Sequence, residues 1–163
     1  MISGLIIEME REKIPLDLLL TADPALPQVV RYLSQGIPFA AVMHGTTVGA
    51  CILVKREGFY DIVNLAVTDD WQGKGVMRDL LYFAMDYART RGGRYMEIGA
   101  GNAKLELFAM FQQMGFRLVG IWKDYYLSDA KTAVVENSIP NRDMLRFRLD
   151  LLEQPPRGAG VGL

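Results

Sequence analysis

The stretch from Leu65 to Arg78 constrains the fold of this chain more than any other. An apolar, strand-like run ends at Val67, the glycines Gly73 and Gly75 flank a lysine, and apolar residues then recur with the spacing of an amphipathic helix. Glycines let the backbone approach a ligand closely, and the first N–H groups of a helix have no partner within it. Because the helix dipole adds partial positive charge at this end, the segment predicts a binding site for a phosphate group.

Two common phosphate-binding motifs do not match this loop. A P-loop ends in Gly-Lys-Ser/Thr, but here Lys74 is followed by Gly75, and no hydroxyl is in place to hold magnesium. A dinucleotide-binding motif needs a third glycine where this chain has Arg78, and the later glycine pair at 99 and 101 is followed by Lys104 at that place. The sequence therefore gives little support to a nucleoside triphosphatase or to a nicotinamide-dependent oxidoreductase.

The loop resembles instead the signature of the GNAT superfamily of acetyl-CoA-dependent N-acetyltransferases, which is Gln or Arg, two residues, Gly, one residue, then Gly or Ala. Gln72 and Gly75 match this signature, and Met77 stands at its last position. The resemblance covers residues 38–125, where the predicted strands and helices follow the order of the family. It implies an α/β (α+β) fold, with a mixed, mostly antiparallel central sheet flanked by helices, and acetyl-CoA as cofactor.

The resemblance also implies a set of cofactor contacts. The strand before the loop would offer main-chain groups to the pantetheine arm, and the loop would hold the pyrophosphate; these residues are Leu65, Ala66, Val67, Gln72, Gly73, Lys74, Gly75, Val76 and Met77. Asn102 stands where the family often has a cofactor-contacting asparagine, and the alternative is that it caps the helix beginning near Leu105. Phe111 replaces the tyrosine that is the family's usual general acid, and would line the cofactor arm or pack its own helix.

Transfer of an acetyl group to an amine requires removal of a proton, because an alkylamine with a pKa of about 10.4 is protonated at neutral pH. By the resemblance, Asp61 lies where several family members carry a glutamate base, at the start of a strand; the alternative is a merely solvated carboxylate. Since Phe111 has no hydroxyl, Tyr126 or its neighbour Tyr125 is the candidate acid for the thiolate of coenzyme A. The alternative is that this aromatic pair only forms a wall.

Periodicity and turn residues predict the other elements. We expect an edge strand over 4–9, helices over 15–21 and 27–34, a hairpin of strands 39–43 and 48–55, a strand over 60–68, a helix over 76–91, a strand over 95–100, a helix over 105–114, a strand over 116–123 and, after a less regular stretch at 125–141, a strand over 144–151. One acetyltransferase domain is expected over 1–152. Residues 153–163 are expected to form a flexible tail, because they are rich in proline and glycine.

The single cysteine, Cys51, and the single histidine, His44, exclude an internal disulfide and a histidine-rich metal site, so we predict no metal. A nucleophilic pair of these two residues is conceivable. However, His44 and Gly45 fit the tip of the predicted hairpin, and Cys51 lies inside its second strand. We therefore expect a turn histidine and a packed cysteine.

Charge and hydropathy limit the partners of the chain. Its 163 residues carry a net charge of −1, without a basic block of the kind that binds nucleic acid. No apolar run approaches the about 20 residues that cross a bilayer, and the N-terminus lacks the features of a signal peptide. We expect a cytoplasmic protein with neither a nucleic-acid nor a membrane partner.

These observations predict an N-acetyltransferase that moves the acetyl group of acetyl-CoA directly to a primary amine in a ternary complex. The alternative, suggested by Phe111 and Met77, is a non-catalytic acyl-CoA-binding or sensing module. The acceptor would be a small molecule or a peptide, recognised around residues 25–38 and 125–141. The strand at 144–151 is the candidate for pairing with a second copy in a homodimer.

Overall fold

The structure is a computed structural model that describes residues 4–126 and 134–153. The chain divides between Gly93 and Arg94 into two compact units. Apart from Glu153, the predicted tail lies outside the described residues, and so does the part of the irregular stretch at 127–133. The expectation of one domain over 1–152 stays a prediction.

The first unit contains an antiparallel sheet of four strands in the order β1, β2, β3, β4. The strands are β1 (Leu5–Glu8), β2 (Ile37–Met43), β3 (Thr46–Lys55) and β4 (Phe59–Val67). His44 and Gly45 join β2 to β3 with φ angles of 51° and 77°, and a two-residue type I′ turn requires positive φ at both positions. The predicted edge strand and the predicted hairpin, with His44 at its tip, are confirmed.

Helices cover both faces of this sheet. They are α1 (Leu16–Ala22), α2 (Leu26–Gln35) and α3 (Val76–Thr90), and each lies within two residues of its predicted range. Leu19 of α1, Val29 of α2 and Ile52 of β3 belong to one buried cluster on the first face. On the other face α3 lies close to β3, because a Cβ at Gly49 would be only 2.9 Å from Val76.

The second unit contains a three-stranded antiparallel sheet in the order β5, β9, β6, with one helix and a short hairpin. Its elements are β5 (Tyr95–Gly101), α4 (Leu105–Gln113), β6 (Arg117–Trp122), β7 (Val135–Glu136), β8 (Ile139–Pro140) and β9 (Met144–Asp150). Phe111 of α4 packs against Phe147 of β9, with ring centroids 5.4 Å apart. Aromatic packing therefore holds the helix on the sheet.

One expectation for this unit is wrong. The strand at 144–151 exists, but it does not offer an edge to a second copy, because β9 lies between β5 and β6: Arg146 is opposite Gly99 on one side and Gly120 on the other. The described part of the stretch at 125–141 contains one short hairpin. Asn137 and Ser138, with φ of 51° and 60°, form the tight turn of the β7–β8 hairpin.

Candidate active site

The loop between β4 and α3 has the backbone geometry that its glycines predict. Gly73 and Gly75 have φ angles of 74° and 86°, in the left-handed region that strains residues with a side chain. Gly75 is the N-cap residue of α3, and it has no side chain with which to satisfy the amides that follow. The chain therefore enters α3 without a capping side chain over its first N–H groups.

Three main-chain amides lie at this helix start. The first bond of the helical pattern runs from the Asp79 amide to the Gly75 carbonyl at 3.1 Å, and the amides of Val76, Met77 and Arg78 form the turn before it. Lys74 adds a positive charge, and its ammonium lies 4.9 Å from the centre of the Trp71 ring. Aligned amides, a helix dipole and a lysine together fit a pyrophosphate group.

The residues before the loop are mostly buried, so we expect them to serve a ligand chiefly through their main chain. Ala66 and Val67 are buried, Leu65 is half-buried, and Ala66 belongs to the cluster under α1 and α2. The Gln72 side chain folds back, and its Nε2 donates to the Val67 carbonyl at 3.3 Å. Gln72 thus closes the turn that carries the glycines, and its predicted role in holding the cofactor, like that of the loop as a whole, stays a prediction.

Asp61 is a buried carboxylate on β4. It is 7% exposed, so the alternative of a solvated charge is wrong, and β4 begins two residues earlier, at Phe59. Asp61 is opposite Val54 of the cluster under α1 and α2, which places it on that side of the sheet. The Arg56 guanidinium, in the β3–β4 connection, lies 3.5 Å from its carboxylate and compensates its charge. Nothing in the sequence singled out Arg56 as this partner.

A second buried polar residue, Asn64, lies three positions further along β4 on the same side. Its Nδ2 donates to the Tyr32 hydroxyl at 2.7 Å and to the Leu19 carbonyl at 2.9 Å, and Tyr32 donates to Asp23 at 3.2 Å. These bonds tie β4 to α1, to α2 and to the residue that follows α1. A lone asparagine in an apolar strand was the signal that could have revealed this network.

Asn102, in the second unit, is fully engaged with the segment before β9. Its Oδ1 accepts from the amides of Arg142 at 2.7 Å and Asp143 at 2.9 Å, and its Nδ2 donates to the Pro140 carbonyl at 3.1 Å. The alternative that Asn102 caps the next helix is wrong, since the N-cap of α4 is Lys104. A cofactor contact from Asn102 stays a prediction.

The two aromatic candidates have different surroundings. Phe111 is fully buried against Phe116 and Phe147, which favours its packing interpretation over a contact with the cofactor arm. Tyr126 is half-buried and packs edge-on against Tyr125, with ring centroids 5.0 Å apart. Its hydroxyl remains a candidate acid, and the wall interpretation remains open.

Cys51 is not a nucleophile in this fold. It is fully buried in β3 opposite Phe39 and Leu65, and burial raises the pKa of its thiol to about 12. His44 lies at the hairpin tip. The predicted packed cysteine is confirmed.

Neither a metal cluster nor a membrane-spanning helix was found in the part of the chain that the structure describes. Within residues 4–126 and 134–153, no three His, Cys, Asp or Glu side chains come together in a way that could hold a metal ion. In the same residues, no helix is long and apolar enough to cross a membrane. The cytoplasmic location stays a prediction.

Comparison with known proteins decides the family. The model of the acetyltransferase (GNAT) family matches residues 11–116, which include the glycine loop, Asp61 and Asn64. The chain belongs to the GNAT family. The predictions of the family and of an acetyltransferase are therefore confirmed.

Relatives of this GNAT protein agree in sequence and in fold. An uncharacterized N-acetyltransferase of Bacillus subtilis, YvbK, is 37% identical over 136 residues, which cover 83% of this chain and 88% of the relative. An IAA acetyltransferase from Bacillus cereus is 34% identical, with a TM-score of 0.87 over 91% of this chain and 99% of that one. These matches confirm the predicted fold class, a mixed and mostly antiparallel sheet flanked by helices.

A second solved structure bears on the cofactor. A GNAT family acetyltransferase from Elizabethkingia anophelis is 27% identical to this chain, with a TM-score of 0.85 over 90% of this chain and 97% of that one, and its crystal structure contains acetyl-CoA. The prediction of acetyl-CoA as the cofactor agrees with this structure. The alternative of a module without enzymatic activity loses its support, because the chain is a member of an acetyltransferase family.

Proposed function

We propose that this acetyltransferase moves the acetyl group of acetyl-CoA directly to a primary amine bound in the same complex, and that Asp61 is its base. The observation that carries the proposal is a buried carboxylate on the strand that leads into an anion-binding helix start. Asp61 lies on β4, six residues before the strand ends at Val67. The acceptor is a small molecule or a peptide with a free amine.

The loop supports the binding half of the proposal. The amides of Val76, Met77 and Arg78, with the charge of Lys74, would hold the pyrophosphate of the cofactor. The cofactor supplies an acetyl thioester, whose carbonyl carbon is open to attack by an amine. The main chain of Leu65 and Val67 would orient that arm, since their side chains are wholly or largely turned into the protein.

Asp61 supports the chemical half. The amine must lose a proton as its nitrogen forms a bond to the acetyl carbon, and a carboxylate is the group that accepts it. The aspartate side chain is short, so we expect the proton to reach it through a water. Arg56, 3.5 Å away, would hold the carboxylate in place between turnovers.

The leaving group also needs a proton. The bond between the acetyl carbon and sulfur breaks as the new bond to nitrogen forms, and coenzyme A departs as a thiolate. We assign its protonation to the Tyr126 hydroxyl. A thiol with a pKa of about 8.5 is already a tolerable leaving group at neutral pH, so loss of this acid should cost less than loss of the base.

The test is release of coenzyme A from acetyl-CoA with a panel of primary amines. Asp61→Asn is nearly isosteric and should keep the binding of acetyl-CoA while lowering kcat by about 100-fold or more, because a general base contributes about that factor. Tyr126→Phe should lower kcat less than Asp61→Asn does. Asp86→Asn, an exposed carboxylate of α3, is the matched control and should change neither quantity.

Two outcomes would overturn the proposal. An Asp61→Asn variant as active as the parent protein would remove Asp61 from the mechanism. Tight binding of acetyl-CoA without release of coenzyme A to any amine would remove the amine acceptor.

A further inference from the structure

β6 is the outer strand of the sheet in the second unit, and it exposes an unusual amount of apolar surface. Among the described strands it pairs only with β9. The exposed fractions of its large apolar residues are 52% for Leu118, 50% for Val119, 55% for Ile121 and 47% for Trp122. Outer strands are normally protected by charge, proline or a covering element, and contiguous apolar surface marks an interface. Within β6 only Arg117 is charged.

The register of β6 against β9 assigns these side chains to two faces. Leu118 and Ile121 are opposite Phe147 and Leu145 and share the face that α4 covers. Arg117 and Trp122 are opposite Arg148 and Met144 and share the other face. The register shifts between Leu118 and Gly120, so Val119 is the extra residue of a β-bulge.

We propose that β6 is a homodimer interface, at which it pairs antiparallel with β6 of a second copy about a twofold axis between Val119 and Gly120. Gly120 provides the space for this contact, since a Cβ built there would meet nothing within 4 Å. In the paired strands, Val119 of each copy fills the open space at Gly120 of the other. A twofold axis repeats every contact, so the dimer contains the contact between Val119 and Gly120 twice.

The neighbouring residues match in the same register. Leu118 is opposite Ile121 of the second copy on one face, and Arg117 is opposite Trp122 of the second copy on the other. The first pair is apolar, and the second sets a guanidinium against an indole ring, a favourable cation–π contact. Within one chain the Trp122 ring already accepts a guanidinium, that of Arg146, which lies 4.5 Å from its centre, and Tyr125 packs against it at 5.8 Å between ring centroids.

Charge disfavours one of the two neighbouring registers. In that register Arg117 would be opposite Lys123 of the second copy, and two like charges facing each other across strands are destabilising. In the other register Arg117 would be opposite Ile121, so its contact with Trp122 would be lost. This self-complementarity is the reason for choosing a second copy as the occupant. The surface includes neither the glycine loop nor Asp61, so the proposal is independent of the proposed function.

The first test is the mass of the full chain in solution, measured by light scattering over a wide range of concentration. We expect twice the chain mass of 18.3 kDa. Gly120→Val places side-chain atoms in this space, where a Cβ meets nothing within 4 Å, and should raise the dissociation constant of the dimer by about tenfold or more. Ile121→Lys should do the same. Val135→Lys is the matched control, because Val135 of β7 is 58% exposed and lies outside β6; its dimer should be unchanged.

The second test is cross-linking of single-cysteine variants. A mixture of Leu118→Cys and Ile121→Cys proteins should form a disulfide-linked dimer under mild oxidation, and neither variant alone should do so efficiently. The native Cys51 is fully buried and does not interfere. Thermal unfolding of each variant, with and without acetyl-CoA, checks that the fold is intact.

Three results would overturn the proposal. The first is a monomer at every concentration, which would leave β6 to another protein or to the last residues of this chain. The second is a dimer that withstands both Gly120→Val and Ile121→Lys. The third is a dimer in which the mixed cysteine variants do not cross-link.

Discussion

The side-chain amide of Asn64 donates to the hydroxyl oxygen of Tyr32 at 2.7 Å, and both residues are buried. The Tyr32 hydroxyl donates in turn to the carboxylate of Asp23 at 3.2 Å. Asn64 also donates to the Leu19 carbonyl, which fixes its orientation, because an amide oxygen could not make that bond. A polar chain therefore joins β4 to the helical segment that precedes the sheet core.

Removing the Tyr32 hydroxyl tests whether this series of hydrogen bonds stabilises the fold. Tyr32→Phe keeps the ring and its packing but deprives Asn64 and Asp23 of a partner, and we expect a loss of about 1–3 kcal/mol in the free energy of unfolding. Tyr82→Phe is the control, since Tyr82 is an exposed residue of α3 and its hydroxyl should contribute little. Denaturant unfolding measures both variants. A Tyr32→Phe variant with the same unfolding midpoint as the parent protein would show that the network does not stabilise the fold.

The glycine loop offers a matched pair of substitutions. Gly73 and Gly58 both have positive φ, 74° and 82°, and a Cβ at either position would meet nothing within 4 Å. Gly73→Glu and Gly58→Glu therefore carry similar backbone strain and the same added charge. We expect only Gly73→Glu to weaken acetyl-CoA binding, by about tenfold or more, because it sets a carboxylate beside the proposed phosphate site.

Calorimetric titration with acetyl-CoA compares the two variants. If both variants bind as the parent protein does, the loop is not the phosphate site. A similar loss in both would point to backbone strain rather than to local charge.

Burial of Cys51 makes stability depend on pH in the alkaline range. The pKa of its thiol rises from 9.0 to about 12 on folding. Below pH 9 the thiol is protonated in both the folded and the unfolded state, so it adds no pH dependence to the free energy of unfolding. Above pH 9 the unfolded chain loses the proton while the folded chain keeps it, and the stability from this group falls until about pH 12.

Cys51→Ala isolates this contribution. The difference in unfolding free energy between the parent protein and Cys51→Ala should shrink as the pH rises from 9, with a limiting slope of about 1.4 kcal/mol per pH unit. Urea unfolding at several pH values gives this difference, in which other titrating groups cancel. A pH-independent difference would contradict a buried, protonated thiol.

Asn102 has two possible roles, and they can be separated. Asn102→Ala removes the acceptor of the Arg142 and Asp143 amides, so we expect these two amides to exchange hydrogen faster. Asn102→Asp keeps an acceptor oxygen and should retain much of their protection. Hydrogen exchange of both variants, together with KM for acetyl-CoA, makes the comparison. Normal exchange with a raised KM would identify a cofactor contact instead of a structural tie.

The local features of this fold were predictable from sequence. The His44–Gly45 turn, the glycines before α3 and the periodicity of α3 each depend on neighbouring residues, so their signal lies within one short window. The position of β9 between β5 and β6 does not depend on neighbouring residues, because strand order is set by pairing between distant segments. The edge of β6 could therefore not be identified in advance.

The candidate site also contains residues that were predictable from sequence and contacts that were not. The loop from Gln72 to Met77 was visible as a motif, and Asp61 followed from its distance to that motif. The Asn64–Tyr32 bond spans 32 residues, and burial of Asp61 beside Arg56 depends on how α1 and α2 cover the sheet. Contacts of this kind arise only when the chain has folded, and a single sequence carries at most an out-of-place polar residue as a hint.

Gly49 of β3 lies where the sheet packs against the start of α3, the end of the helix at which we propose the phosphate site. A methyl group at this position would press on Val76, the residue directly after Gly75, at 2.9 Å and on Leu80 at 3.0 Å. The strand is fixed between two neighbours, so we expect the helix to shift, and its first turn carries the amides that we propose hold the cofactor. The distance between α3 and the sheet thus depends on the absence of a side chain at position 49. We expect substitutions there to lower the affinity for acetyl-CoA before they prevent folding.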